Sequence, residues 1–145
     1  MDETCRFELT DKPIDVKALR SNFCVPAACG GYVAFEGIIR NDNHGKEVIH
    51  LEYEVYRELA LKELARLTSL AQKEFKLSRV HGVHRFGRLE IGDTAVMIQV
   101  AAPHRTECFL GCKFLIDQLK ASVPIWKHEF YADGSKAWTR CSEHG

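Results

Sequence analysis

The sequence is short of three things, and each shortage narrows what the protein does. No CxxC pair occurs: Cys5, Cys24, Cys29, Cys108, Cys112 and Cys141 lack the spacing of a zinc site. No net charge remains, because 20 basic residues balance 20 acidic ones. That argues against a nucleic-acid partner and against a membrane surface, so any anion site has to be local. No apolar run approaches the roughly 20 residues of a membrane span, and MDETCRFELT lacks the basic flank and apolar core of a signal peptide. The expected setting is cytoplasmic, where the cysteines stay thiols. A length of 145 residues suits one domain, taken as 1–145, with a core large enough to need no staples.

What is present reads as strands and helices in turn. CRFELT (5–10) alternates as a short strand, and Asp15 to Phe23 has Val16, Leu19, Arg20 and Phe23 at helical spacing. GYVAFEGIIR sets Tyr32, Ala34 and Glu36 against Val33, Phe35 and Gly37, which predicts a strand with one buried face. The polar stretch NDNHGK after it reads as a mobile loop, with Arg40 at the junction. In VIHLEYEVY the period of two places Ile49, Leu51, Tyr53 and Val55 on one face. Residues 57–75 switch to helical spacing, with Ala60, Leu64, Leu67, Ala71 and Phe75 on the apolar side. Residues 79–103 read as two long strands joined at Ile91-Gly92-Asp93, followed by a helix over 105–121, a strand from Ile125 to Ala132 and a short strand around Trp138. Adjacent strands are too frequent for a doubly wound parallel sheet, so an α+β fold with a largely antiparallel sheet and packed helices is expected.

Residues 103–129, PHRTECFLGCKFLIDQLKASVPIWKHE, hold the most chemistry. His104 and Arg105 open a helix, where unpaired N–H groups and the helix dipole favour an anion; a capping cluster with Arg105 in a surface ion pair is the structural alternative. Lys120 falls in the last helical turn, where any cation is stabilised by about 0.3–1 kcal/mol. Lys127 follows a proline turn on the next strand. Two facing lysines beside an apolar turn suit a nucleophile or a proton donor. A rise of about 1.5 Å per residue separates Arg105 from Lys120 by roughly 22 Å, so the two ends serve either two sites or one site built from two copies. Cys108 and Cys112 share an apolar stripe with Leu115 and Leu119 and read as packing thiols. His81 and His84, three apart on a strand, point to opposite faces and do not share a metal. With Arg85 and Arg88, His84 suggests a cationic edge. Gly111 inside the helix costs up to about 1 kcal/mol relative to Ala.

Taken together, FEGIIRNDNHGKEVIHLEYEVY, VHRFGRLEIGDTAVMIQVAAPHR and CKFLIDQLKASVPIWKHE resemble the large, catalytic subunit family of molybdopterin synthase, over about residues 30–130. The resemblance implies an α/β hammerhead fold and sulfur transfer in molybdenum cofactor synthesis. In that reaction cyclic pyranopterin monophosphate receives two sulfurs and becomes the dithiolene of molybdopterin. The sulfur arrives as a thiocarboxylate on the C-terminal Gly-Gly tail of a small ubiquitin-like subunit. The implied assembly is a heterotetramer around a dimer of large subunits, with no metal and no cofactor for this step. By motif, Lys120 and Lys127 match the catalytic lysines. Arg40, His104 and Arg105 match pterin-binding positions, with His128 and Glu129 beside them.

Two other functions fit parts of the pattern. A non-catalytic module could keep the pocket only to bind ubiquitin-like tails. A phosphate-ester hydrolase using His104 and a metal is disfavoured by the poor ligand set.

Overall fold

The computed structural model describes residues 5–140. In chain order the elements are β1 (Cys5–Thr10), α1 (Val16–Asn22), β2 (Gly31–Ile38), β3 (Asp42–Asn43), β4 (Lys46–Val55), α2 (Arg57–Phe75), β5 (Arg79–Arg85), β6 (Gly87–Glu90), β7 (Thr94–Ala102), α3 (Arg105–Ser122), β8 (Ile125–Tyr131) and β9 (Lys136–Arg140). They form two sheets, so the expected α+β class holds with its strands divided. One sheet has the order β1-β5-β7-β2, and the other runs β3-β4-β8-β9 with β6 also paired to β4. β1 and β5 are parallel, whereas the other pairings are antiparallel.

The core forms where α2 and α3 lie against the first sheet. Ala60, Leu64, Leu67 and Ala71 of α2 meet Cys108, Cys112, Leu115 and Leu119 of α3 over Val80, Val96, Ile98 and Val100. Full burial of a leucine such as Leu64 contributes about 1.5–3 kcal/mol. Burial raises the Cys108 thiol pKa and, with Cys108 adjacent, pushes Cys112 up to about 11. Both are protonated packing groups at neutral pH, as their stripe suggested. Cys141 lies outside the described residues. α1 covers part of the opposite face; Asp15 caps it by accepting from the Ala18 N–H at 3.1 Å. Arg20 lies over the Tyr32 ring at 4.1 Å, and Phe23 packs edge-on to the same ring.

Four local expectations are corrected. Residues 79–90 are two strands, because Gly87 adopts φ +90° and turns β6 away to pair with β4. The NDNHGK stretch is a tight hairpin: His44 and Gly45 take φ +51° and +85°, and β3 pairs back on β4. Successive positive φ values suit the twist of a two-residue hairpin loop. In β4 a register shift between Val48 and His50 leaves Val48 buried, as Leu51 is, and Ile49 47% exposed. A bulge of this kind rephases the alternation, which period counting cannot see. Lastly, β2 is an edge strand with no deeply buried apolar face, and its Phe35 and Ile38 are exposed.

Gly111 has a packing reason. A Cβ there would sit 2.8 Å from both methyl carbons of Leu77, which is itself buried. Gly111→Ala, favourable by about 1 kcal/mol in an open helix, is expected to lower stability by about 1 kcal/mol or more through overpacking. Urea denaturation measures this, and an unchanged or raised midpoint would contradict the packing account.

Candidate functional site

The end of α3 and the middle of β8 are joined by one turn. Val123 caps the helix through its N–H to the Leu119 carbonyl, and β8 begins at Ile125. Lys120 in the last turn and Lys127 on the strand thereby project into one cavity of about 100 Å³, which Arg40 also lines. Its apolar wall includes Phe35, Leu51, Tyr53, Ile116 and Leu119. Three cations face two carboxylates there, Asp42 and Glu129.

Glu129 is buried and already engaged. Its Oε1 accepts from Asn43 Nδ2 at 2.7 Å and from the Tyr131 hydroxyl at 3.2 Å. This cluster ties the β3–β4 hairpin to β8, and so holds the strand that carries Lys127 near the segment that carries Arg40. Leaving a buried polar group without its partner typically costs about 1–3 kcal/mol.

Of the residues expected at the site, Arg40, Lys120, Lys127 and Glu129 share this pocket. His128 does not line it. As the neighbour of Lys127 on a strand it faces the other way, stacked on Trp138 at 4.2 Å and tilted against Phe130 at 4.4 Å. His104 and Arg105 also lie outside it, exposed at the far end of α3. His104 is the N-cap residue but makes no side-chain capping bond, so the capping-cluster alternative is not the arrangement found. The spacing of α3 keeps this cationic end roughly 22 Å from Lys120 within one chain.

Two polar residues of the pocket wall depart from what the sequence leads one to expect. Asn43, expected in a mobile loop, is a buried anchor. His84, expected on a cationic edge, is 2% exposed in the pocket wall, edge-on to Tyr53 at 5.0 Å. The available signal was register: His84 shares a strand face with Val80, under the helices, whereas His81 points oppositely and meets Glu8 at 2.8 Å. The two histidines thus diverge as their spacing required. Desolvation lowers the His84 pKa to about 4; a backbone hydrogen bond to Arg85 opposes this, and the Lys120 charge adds to it. Among the described residues, no three His, Cys, Asp or Glu side chains are grouped to hold a metal ion.

The depressed His84 pKa has a consequence for stability. Its ordinary value is near 6.5, so between about pH 6.5 and 4 the unfolded chain binds a proton that the folded chain excludes. Stability is fully held above this window and falls as pH drops through it. Between pH 7 and 4.5 the wild type is expected to lose on the order of 2 kcal/mol more than His84→Gln. Denaturant titrations at both pH values read the difference, and parallel losses would contradict a neutral buried imidazole.

Known proteins resemble this chain in sequence and in fold. The profile of the family described as MoaE protein matches residues 9–122. A molybdopterin synthase catalytic subunit from Nostoc sp. is 34% identical over 143 residues, covering 96% of this chain and 86% of that protein. A crystal structure of molybdopterin synthase from Staphylococcus aureus superposes with a TM-score of 0.83 at 31% identity, covering 96% of this chain and 98% of that one. The fold is shared as well with a chain from a Helicobacter pylori complex of subunits 1 and 2 of molybdopterin-converting factor, at 18% identity and a TM-score of 0.73, over 92% and 89% of the two chains. With the family profile spanning most of its length and a relative at 34% identity along nearly all of it, the chain belongs to the MoaE protein family.

Proposed function

We propose that this chain is the catalytic subunit of a molybdopterin synthase. In this reading it takes sulfur from the thiocarboxylated Gly-Gly tail of a small ubiquitin-like subunit and places it on cyclic pyranopterin monophosphate, twice per dithiolene. The observation that carries the reading is the convergence of Lys120, Lys127 and Arg40 in one pocket with an apolar wall. Arg40 offers a planar fork to an anionic substrate. A lysine beside the acyl carbonyl of the tail stabilises the oxygen charge that develops there, and it can relay protons during the attack. The small cavity suits a narrow tail more than a bulky side chain.

The same reading assigns His104 and Arg105 to the pterin, entering from a second copy of the chain. Their exposure at the opposite end of α3 supports this. The assembly is then a dimer of these chains at the centre of a heterotetramer. A cytoplasmic setting fits Cys5, Cys24, Cys29, Cys108 and Cys112 being thiols.

The test is reconstitution with a thiocarboxylated small subunit and the cyclic pterin. Wild-type protein is expected to form molybdopterin, and Lys120→Ala to lose about a hundredfold or more in kcat at an unchanged thermal midpoint. Arg40→Ala is expected to raise KM for the pterin more than it lowers kcat. Full turnover by Lys120→Ala would contradict the catalytic assignment. Tail binding without any pterin turnover by the wild type would point instead to a binding module.

A further inference from the structure

His84 stands in the wall of the lysine pocket without a part in the chemistry described so far. Its backbone is fixed on both sides, since Leu9 of β1 and Val96 of β7 are its register partners. Its ring is buried against the edge of Tyr53. Nδ1 lies 2.8 Å from the carbonyl oxygen of Arg85. A carbonyl can only accept, so the ring keeps its proton on Nδ1, and in the neutral ring Nε2 carries a lone pair and no proton.

Lys120, at the end of α3, lines the same cavity as this ring, and its charge reaches the imidazole. An ammonium has three donors and no acceptor. A carboxylate at the position of His84 would hold the ammonium but cancel its charge. An aliphatic side chain would leave the charge intact but the geometry loose, and a loosely held group loses most of its catalytic advantage. A neutral imidazole avoids both faults: it takes one N–H and leaves the charge and the other two donors for substrate.

We propose that His84 is a positioning residue for Lys120, its Nε2 serving as the uncharged acceptor that seats the lysine ammonium in the pocket. The proposal rests on Lys120 being the reacting lysine, and it deepens that reading. His84 touches no substrate; it acts through the lysine. The reason for its burial follows: exposure would let the ring protonate and become a second donor, which would repel the group it seats.

Two measurements on the full chain test this and separate it from the broader assignment. In ¹⁵N-histidine-labelled protein near neutral pH, His84 is expected as the Nδ1–H tautomer, with an Nε2 resonance that moves in Lys120→Met. An Nε2–H tautomer, or an Nε2 resonance that Lys120→Met leaves in place, overturns the proposal whether or not the protein makes molybdopterin. In the reconstituted assay, His84→Met is expected to lower kcat about tenfold or more while KM for the pterin stays within about twofold. His84→Gln, whose amide oxygen can accept instead, is expected to recover most of the loss. Equal losses in two variants with equal thermal midpoints overturn the positioning role. If the wild type makes no product while the resonance shift is observed, the Lys120–His84 contact stands and the sulfur-transfer reading fails.

Discussion

An 18-residue helix is a rigid rod, and α3 keeps the cationic groups at its two ends apart while the rest of the core packs along it. One end presents His104 and Arg105 to solvent, and the other delivers Lys120 to the pocket shared with Lys127 and Arg40. The rod is fixed along its length because Cys108, Cys112, Leu115 and Leu119 are buried against α2 and the first sheet, with Gly111 letting Leu77 approach. No side-chain rearrangement short of unfolding α3 brings the ends together. An anionic substrate that needs both therefore needs two copies of the chain.

At the pocket end the two sheets meet, and the chemistry arises from that junction. The first sheet supplies His84 and Phe35, the second supplies Leu51, Lys127 and Glu129, and α3 closes the space with Lys120. Two polar groups in the wall are held in different ways. Glu129 is retained as a hydrogen-bonded anchor through Asn43 and Tyr131, whereas His84 is driven to the neutral form. On the proposed function, this leaves Lys120, Lys127 and Arg40 to act on substrate while their surroundings are held still.

Much of this was legible in the residues. Helical spacing of Ala60, Leu64, Leu67 and Ala71 identified α2 with its observed ends, because one continuous apolar stripe against a flat sheet leaves a simple period. The motifs around Lys120, Lys127 and Arg40 named three residues that do share a pocket. What could not be read were departures from period two: the bulge that turns Ile49 outward, the Gly87 turn that splits β5 from β6, and the His44-Gly45 hairpin. Each depends on backbone pairing with a distant strand. His84 and Asn43 were missed for the same reason, since burial of a polar side chain is decided by what packs over it. His128 adjoins Lys127 in the chain, but strand alternation sends it to the other face.

On the proposed function, Lys120 and Arg105 serve one pocket only when they come from different chains. Mixing Lys120→Ala with Arg105→Ala, each expected to be nearly inactive alone, tests this after denaturation and joint refolding with the small subunit. A hybrid dimer built this way has one pocket with both residues intact and one with neither. About a quarter of wild-type turnover should return from a statistical mixture of equal parts, as the arithmetic of a symmetric dimer requires. Turnover no higher than that of the separate variants, with hybrids present by mass, would show that the two ends of α3 do not meet across a dimer.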